Sequence, residues 1–175
     1  MIFEHGTVMF GVSGSARVSR EFLYLRRQAM LELNEINRDN FEAVIELSVH
    51  DDQRSFVASN VFSIAQAKAY PECIPMAVYA DNTLVGFVMY GMDLDDNEYW
   101  ISRLMIDKRY QKQGYGRNAM NCVLDKLERL EGYQKVYISF EPENIGAKRL
   151  YENMGFTPDG RVIDGEIVYC LQRRE

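Results

Sequence analysis

The sequence predicts a single-domain α/β protein in which helices flank a mixed, mostly antiparallel sheet. Three observations lead to this fold class. Apolar residues recur with a period of two in some segments and of about 3.6 residues in others. Turn residues, Asp81-Asn82 and Asp164-Gly165, separate neighbouring apolar runs, as in antiparallel hairpins. The chain has 175 residues, enough for one substantial core. The predicted order of elements is β-α-α-β-β-β-α-β-α-β-β.

The first strand and the first two helices are predicted from apolar spacing. Residues 31–36, LELNEI, alternate apolar and polar side chains, as a half-buried strand does. Asp39 is the expected cap of the first helix. The second helix is predicted within residues 55–69 and is ended by Pro71 and Pro75. The side chains expected to face the core are Phe41, Val44 and Ile45 of the first helix and Val57, Val61, Ile64 and Ala65 of the second.

A three-stranded meander is predicted next in the chain. Residues 75–92 contain two apolar runs around Asp81-Asn82, which tolerate turn conformations. After the acidic loop DLDDNE, residues 99–106, YWISRLMI, form the third strand of the meander.

The remaining elements follow in the order helix, strand, helix and hairpin. One helix is expected to begin near Gly116 and to end at Gly132, and KVYISF at 135–140 is a strand. Asn144 is a suitable N-cap for a shorter helix, and Gly155 suits its C-terminal end. A final hairpin turns at Asp164-Gly165. The core-facing side chains are predicted to be Met120, Val123, Leu124, Leu127 and Leu130 in the first helix and Ala147, Leu150, Tyr151 and Met154 in the second.

Residues 1–30 lack the periodicity of the rest of the chain. They include GTVMFGVSGSARVSR, which is rich in Gly and Ser. We therefore expect residues 1–30 to be an N-terminal extension that need not belong to the native domain, and residues 31–175 to form the domain.

Composition excludes several classes of function. The formal net charge of −6 argues against a general nucleic-acid binder, whose surface is basic, and suits a small cationic substrate. Three widely spaced cysteines and two histidines predict neither a disulfide framework nor a metal site, so a reducing cytoplasm is the expected location. No apolar run approaches the roughly 20 residues that span a bilayer, so no membrane partner is expected.

Gly114 and Gly116 lie where the third strand of the meander passes into a helix. The N-terminus of a helix presents unpaired N–H groups and a positive dipole end, and glycines allow a phosphate to approach them. A Walker A loop is excluded because no Gly-Lys-Ser/Thr follows at the required spacing. A Rossmann fingerprint fits GYGRNA, with Glu141 near the expected ribose contact. It is set aside for two reasons. The strand of a Rossmann fingerprint runs directly into the first glycine, whereas residues 107–113 intervene here. A nucleotide-binding fold also needs several more βα units, and only residues 117–175 follow.

The spacing of Gln111, Gly114 and Gly116 also matches the pattern Gln/Arg-x-x-Gly-x-Gly/Ala. Here the chain resembles the GNAT family of acetyl-CoA-dependent N-acetyltransferases. RLMIDKRYQKQGYGRNAM at 103–120 resembles that family's central strand, pyrophosphate loop and helix, and ENIGAKRLYENMGF at 143–156 resembles its later signature. The resemblance implies the GNAT fold and acetyl-CoA as acetyl donor, without a metal.

The resemblance also implies roles for individual residues. Backbone amides of the glycine loop would hold the pyrophosphate of coenzyme A, and the strand edge LMI would pair with its pantetheine arm. Tyr151 is the expected general acid for the departing thiolate, because a phenol can supply a proton. Asn144 contacts the cofactor or serves only as a cap. The cofactor-binding residues implied in this way are Leu104, Met105, Ile106, Gln111, Lys112, Gln113, Gly114, Tyr115, Gly116, Arg117 and Asn144.

The expected acceptor is a small cationic amine. Residues 48–67 and 84–91 resemble bacterial spermine/spermidine acetyltransferases, which implies a polyamine. Alternatives are another amine, such as a protein N-terminus, an amino sugar or an aminoglycoside, or a non-catalytic acyl-CoA sensor. Many relatives form homodimers. The acidic residues that could attract a polycation, or that simply form solvated loops, are Asp51, Asp52, Asp93, Asp95, Asp96 and Glu98.

The general base has no clear candidate in the sequence. Ser102 lies where polyamine acetyltransferases often carry a carboxylate, and a serine cannot act as a base unaided. An amine of pKa about 10 is mostly protonated at neutral pH, so a route for its proton is needed. Glu98, Glu141 or a chain of waters could provide one, or the amine could arrive neutral. Cys122 could in principle be acylated, but its helical position favours a structural thiol.

Overall fold

The computed structural model describes residues 30–173 and contains the predicted order of elements. The fold-class prediction, a mixed α/β sheet flanked by helices, is confirmed. The expected extension at residues 1–30 lies outside the described residues, apart from Met30. The strands are β1 (Leu31–Glu35), β2 (Cys73–Ala80), β3 (Thr83–Asp93), β4 (Glu98–Ile106), β5 (Lys135–Phe140), β6 (Thr157–Ile163) and β7 (Glu166–Gln172). The helices are α1 (Phe41–Glu46), α2 (Asn60–Ala69), α3 (Tyr115–Leu127) and α4 (Ile145–Glu152), and a 3-10 turn, Asp51–Gln53, lies between α1 and α2.

The seven strands form one sheet in the order β1-β2-β3-β4-β5-β7-β6. Strands β1 to β4 pair antiparallel with their neighbours, and so do β5, β7 and β6. Only β4 and β5 are parallel, because α3 carries the chain back between them. The two predicted hairpin turns are present, with φ of 46° at Asp81 and 67° at Asn82, and of 51° at Asp164 and 93° at Gly165.

The core fills the space between the sheet and its helices. Helix α1 packs against β3, α2 against β2, and α3 against β1, β3 and β4. One buried cluster joins Val44 and Leu47 to Phe87, Met89 and Met105 of the sheet. The buried face of α3 contains most of the residues predicted for it, namely Met120, Val123, Leu124 and Leu127, together with Ala119.

The cap of α1 is Asn40, so the prediction of Asp39 is wrong by one residue. The Asn40 side chain shapes the turn before the helix, since its Nδ2 donates to the Glu35 carbonyl oxygen at 3.0 Å and its Oδ1 accepts from the Asn37 N–H at 2.9 Å. Asp39 contributes its own N–H, which donates to Asn37 Oδ1. The side chains of Asn37 and Asn40 together thus stabilise the turn between β1 and α1.

The start and the buried face of α2 also differ from the prediction. The helix begins at Asn60, and Ser59 caps it by accepting the Phe62 N–H at 3.2 Å. Its buried residues are Asn60 and Ser63, whereas the predicted core residue Val61 is 54% exposed. Burial of polar groups is tolerated because both are hydrogen-bonded: Asn60 Nδ2 donates to the Val44 carbonyl at 2.8 Å, and Ser63 Oγ donates to the Ser59 carbonyl.

Helix α3 ends at Leu127 and not at Gly132, so its last turn was predicted too long. Leu130, expected in the core, is 42% exposed. The chain instead turns through Gly132, whose φ is +82°, and inserts the ring of Tyr133, which packs edge-on against Tyr99 at 5.7 Å between centroids. A buried aromatic ring beyond the helix therefore replaces the apolar residue predicted within it.

The parallel strands β4 and β5 are paired only near their beginning. The pairs are Tyr99 with Val136 and Trp100 with Tyr137. The β3–β4 register also shifts at this level, because Ser102 is an extra residue opposite Met89 and Tyr90 of β3. Beyond Trp100 the edge of β4 that faces β5 has no strand partner among the described residues. A cleft opens between the two strands.

Candidate active site

The cleft between β4 and β5 has a volume of about 680 Å³. Its walls come from β4, from the loop and first turn of α3, from the end of β5 and from α4. Residues 49–58 and Glu166 complete the lining. The predicted site residues that line it are Leu104, Met105, Ile106, Gln111, Lys112, Gly114, Tyr115, Gly116, Arg117, Asn144 and Tyr151. Gln113 is the one predicted site residue that does not line it.

The N-terminus of α3 forms one part of the cleft. Gly114 is the N-cap residue, with a φ of +86°, and its carbonyl accepts the Asn118 N–H at 3.1 Å. The N–H groups of the first helical turn have no partner within a helix, so those after Gly114 are available to a ligand. Lys112, with a φ of +62°, and Arg117 place basic side chains on the same lining. This end of the cleft can bind an anion.

The structure explains the two glycines differently. Gly114 is favoured by its left-handed backbone, with a φ of +86°, and not by lack of space, because a Cβ there would meet nothing within 4 Å. At Gly116 a Cβ would lie 3.5 Å from Leu150 Cδ2 and 3.9 Å from Ile106 Cγ1, which are ordinary contacts. Contacts within the described residues therefore leave room for a side chain larger than glycine at position 116. The bare Cα at this helix terminus fits a phosphate-bearing group entering from the cleft.

Gln111 holds the glycine loop in place through its side chain. Its Nε2 donates to Gln53 Oε1 at 2.8 Å and to the Ile106 carbonyl at 3.0 Å, and Gln53 Nε2 donates back to Gln111 Oε1 at 3.2 Å. The loop is thereby tied to the 3-10 turn after α1 and to the end of β4. Gln53 was missed by sequence reasoning, because a glutamine 58 residues away carries no signal of this pairing.

Asp107, at the end of β4, fixes the other side of the same loop. The residue is 2% exposed, and its carboxylate accepts hydrogen bonds from the Ser48 N–H and the Arg109 N–H, both at 3.0 Å, and from Arg109 Nε at 2.7 Å. Burial alone would raise the pKa of Asp107, but the hydrogen bonds from Arg109 and Ser48 outweigh it and lower that pKa. A buried carboxylate thus anchors residues 107–110 to the segment after α1.

Tyr151 projects from α4 into a buried aromatic group. Its ring centroid lies 5.3 Å from that of Phe140 and 5.8 Å from that of Phe156. Burial, and then the negative charge of Glu166, raise the pKa of Tyr151 well above its ordinary value of 10.0. Among residues 30–173 its hydroxyl has no hydrogen-bond partner. The side chain is a protonated phenol at neutral pH, free to donate into the cleft.

Asn144 performs the capping role predicted for it. Its side-chain oxygen accepts the Ala147 N–H at 3.0 Å and starts α4, which carries Tyr151 about two helical turns after the cap. Asn144 also lines the cleft. Its amide nitrogen is the part of the side chain that the cap does not use.

Neither carboxylate suggested as general base lines the cleft. Glu98 is bound by Lys135 Nζ at 3.2 Å and by Arg161 Nη1 at 2.9 Å. Burial raises the pKa of Glu98, but hydrogen bonds from Tyr137, Arg161 and Lys135 outweigh it and lower the pKa to about 2. Glu141 is absent from the lining. Ser102 does line the cleft, where its Oγ donates to the Met89 carbonyl at 3.3 Å.

Glu166 is the acidic side chain that sequence reasoning missed. Among the described residues it is the only aspartate or glutamate in the cleft lining. The Ser139 hydroxyl, on β5, donates a hydrogen bond to Glu166 Oε2 at 2.5 Å. Glu166 directly follows the Asp164-Gly165 turn, and no local pattern distinguishes it from a solvent-exposed residue of a hairpin.

The acidic residues predicted to attract a polycation lie outside the cleft lining. Asp93 Oδ1 accepts the Asp95 N–H at 2.9 Å, and Asp96 Oδ1 accepts the Glu98 N–H at 2.8 Å, so these carboxylates shape the turn between β3 and β4. Asp51 forms an exposed ion pair with a nearby arginine. They act locally as loop-forming residues.

The three cysteines are free thiols, and none lines the cleft. Burial raises the pKa of Cys122, whose Sγ donates to the Leu31 carbonyl at 3.5 Å, so the structural reading of this thiol fits. Within residues 30–173 no group of three or more His, Cys, Asp and Glu side chains could hold a metal ion. In the same range no helix has the length and apolar character needed to cross a membrane.

Comparison with known proteins gives consistent matches. Residues 30–156 match the acetyltransferase (GNAT) family. The chain is 31% identical over 145 residues to the spermine/spermidine N(1)-acetyltransferase of Bacillus subtilis strain 168, covering 79% of this chain and 95% of that protein. It is 26% identical over 110 residues to the ribosomal protein bS18-alanine N-acetyltransferase of Escherichia coli K12, covering 61% and 70%. The crystal structure of spermidine N-acetyltransferase from Vibrio cholerae with CoA and spermine matches with a TM-score of 0.65 and 18% identity, covering 82% and 95%.

Proposed function

The chain belongs to the acetyltransferase (GNAT) family, and on this premise we propose that it transfers acetyl from acetyl-CoA directly to a primary amine, with a polyamine as preferred acceptor. One observation carries the proposal. A single cleft combines an open helix N-terminus, an unpaired strand edge and a protonated phenol. These are the parts needed to bind a phosphorylated thioester and to protonate a leaving thiolate.

The glycine loop would hold the diphosphate of coenzyme A. The N–H groups of the first turn of α3 offer hydrogen bonds and the positive end of the helix dipole. Lys112 and Arg117 line the same wall and add charge-assisted contacts. Gln53 and Gln111 keep the loop in the conformation that presents these groups.

The free edge of β4 would orient the acetyl-bearing arm. Residues 104–106 pair with β3 on one side and have no strand partner on the side of β5 within the described chain. Their backbone groups can therefore pair with the amides of the pantetheine arm, as an added strand would. Such pairing holds the thioester in register beside α4.

Tyr151 would act as the general acid. The raised pKa keeps its phenol protonated at neutral pH, and its hydroxyl is not engaged by another described residue. The departing sulfur needs a proton or a hydrogen bond, and general acids of this kind accelerate a step by about 100-fold to 10,000-fold. The thioester supplies the acetyl group, and the chain's contribution is position and this proton.

The polyamine preference is supported by relatives and by charge. The B. subtilis spermine/spermidine N(1)-acetyltransferase is the 31%-identical relative described above. The formal net charge of −6 attracts a polycation over long range. Because one fold serves many acceptors, the substrate itself has to be tested.

The domain boundary and the location are part of the proposal. The family match begins at residue 30 and the first strand at Leu31, which supports a catalytic domain that starts there. Three free thiols are compatible with a reducing cytoplasm.

The test is the initial rate of thiol release from acetyl-CoA with a panel of amines: spermine, spermidine, putrescine, lysine, an aminoglycoside and a peptide N-terminus. Selective turnover of spermine and spermidine supports the full proposal. Preference for another amine retains the chemistry and refutes the polyamine preference. No turnover with any amine, together with tight binding of CoA, would favour the acyl-CoA sensor.

A further inference from the structure

The charged groups of the cleft are unevenly distributed. Lys112 and Arg117 belong to the loop and first turn of α3, and Arg103 belongs to β4. Glu166, the first residue of β7, is the only acidic lining residue in the described part of the chain. It lies beside the end of β5, because its neighbour Ile167 pairs with Phe140. A cationic ligand therefore has one carboxylate in this cleft to bind.

The Glu166 carboxylate is held by a neighbouring strand and lines the same cleft as the proposed general acid. The Ser139 hydroxyl donates to Oε2, and this leaves Oε1 free to accept a hydrogen bond from a ligand. After burial, the negative charge of Glu166 is the second cause of the raised pKa of Tyr151, which lines the same cleft.

We propose that Glu166 binds the amino group of the acceptor and takes its proton. The inference rests on the proposed acetyltransferase function, and it identifies the base that the sequence leaves open. An aliphatic amine is mostly present as the ammonium ion at neutral pH, and this ion binds a carboxylate by charge-assisted hydrogen bonds. A carboxylate that binds the ammonium in the cleft that Tyr151 also lines can accept a proton as the amine approaches the thioester.

The atoms and electrons balance with these two side chains. The ammonium gives one proton to Glu166, and the nitrogen lone pair attacks the acetyl carbonyl carbon. The C–N bond forms and the C–S bond breaks, and the sulfur leaves with its electron pair and takes the Tyr151 proton. The second nitrogen proton restores Tyr151, and Glu166 releases its proton to solvent. Ammonium and thioester thus give amide, thiol and one proton.

The other described ionisable groups near Glu166 form no ion pair with it. Tyr151 on α4 and Arg103 on β4 line the same cleft. Arg103 is directed elsewhere, with its Nη1 donating to the Ser102 carbonyl and its Nη2 to Gln66 Oε1 on α2. On the adjacent β6, Arg161 binds Asp159 at 2.6 Å and the β4 residue Glu98 at 2.9 Å. Glu166 therefore has no ion-pair partner among the described residues.

The experiment compares wild type with Glu166→Gln, Glu166→Asp and Glu143→Gln. Glu143 is an exposed carboxylate that does not line the cleft, so its variant is the matched control. Rates of thiol release with acetyl-CoA and spermine are measured from about pH 6 to about pH 10, spanning the amine pKa. Binding of CoA is measured for each variant, to show that the α3 terminus remains intact.

We expect Glu166→Gln to lower kcat/KM about 100-fold or more at neutral pH, while CoA binding and the Glu143→Gln rates stay at wild-type values. The remaining activity should rise with pH toward the amine pKa, because only the neutral amine can then react. Glu166→Asp should restore much of the neutral-pH activity and the wild-type shape of the profile, since a carboxylate is present again.

Three results would overturn the inference. A Glu166→Gln variant with wild-type kcat/KM and pH profile removes Glu166 from the reaction while leaving the acetyltransferase function intact. A Glu166→Gln variant with an increased KM but an unchanged pH profile refutes proton transfer to Glu166. A wild-type protein that binds CoA and acetylates no amine refutes the proposed function, and this inference with it.

Discussion

Replacing Tyr151 by phenylalanine removes one hydroxyl from the cleft and leaves the packing of the ring intact. The ring contacts with Phe140 at 5.3 Å and with Phe156 at 5.8 Å do not involve the hydroxyl. That hydroxyl has no hydrogen-bond partner within residues 30–173, so the substitution leaves no buried polar group without its partner. The variant should therefore fold with a free energy of unfolding within about 1 kcal/mol of wild type.

Activity should change far more than stability. Loss of a general acid lowers the rate by about 100-fold to 10,000-fold, which is about 3–5 kcal/mol in the activation barrier. The pH dependence gives a second measure. Because the pKa of Tyr151 is raised above 10.0, its phenol stays protonated as pH rises to that value, and wild-type kcat should show no loss from its ionisation below about pH 10.

Tyr169→Phe is the matched control. Tyr169 is also buried and also packs against Phe140, at 5.0 Å, but its hydroxyl donates to Glu152 Oε1 at 3.2 Å and it does not line the cleft. This variant should lose about 1 kcal/mol of stability and keep its activity. Tyr151→Phe should therefore reduce thiol release and leave the unfolding temperature near that of wild type, whereas Tyr169→Phe should reduce the unfolding temperature and leave thiol release unchanged. Equal turnover and the same pH profile in Tyr151→Phe and wild type would refute the acid role.

Three further predictions test the loop that presents α3. Gly114→Ala should lose about 1–2 kcal/mol of stability because of its φ of +86°, and it should also bind CoA more weakly. Gly132→Ala, with a φ of +82°, should lose a similar stability and keep its affinity for CoA. Calorimetry measures the change in stability, and titration with CoA measures the change in affinity. Gln53→Ala should raise the KM for acetyl-CoA with a smaller change in kcat, because it frees the Gln111 amide; unaltered CoA affinity would contradict this. Asp107→Asn should lower the unfolding temperature by removing about 2 kcal/mol of charged hydrogen bonding. Since the folded pKa of Asp107 is below its ordinary 3.8, its stabilisation is present above that pH and lost as pH falls through the folded value, so the variant's stability should depend less on acid than that of wild type.

Local sequence patterns predicted the order of elements and the glycine-containing N-terminus of α3. Alternation of apolar residues and the two turns at Asp81-Asn82 and Asp164-Gly165 depend on neighbours in the chain, and so does the Asn144 cap of α4. The glycine loop is likewise contained in one short segment. These features could be predicted because the groups that decide them lie within a few residues of one another.

The local predictions failed where a distant contact competed with periodicity. The buried face of α2 follows Asn60, whose amide reaches the Val44 carbonyl, and the apolar Val61 is left exposed. The end of α3 is decided by the ring of Tyr133, which packs against Tyr99 on β4. The spacing of apolar residues does not reveal that a polar side chain will be buried with a hydrogen-bond partner, or that an aromatic ring from another element will fill the core.

The chemistry of the cleft was decided by tertiary structure alone. Glu98 is acidic and close in sequence to the central strand, yet Arg161 and Lys135 from β6 and β5 bind it away from the cleft. Glu166 gives no local signal, and only the pairing of β7 with β5 brings it to Ser139 and into the cleft that Tyr151 also lines. The strength of a base depends on the charges and donors around it, and these come from parts of the chain that meet only in the folded protein.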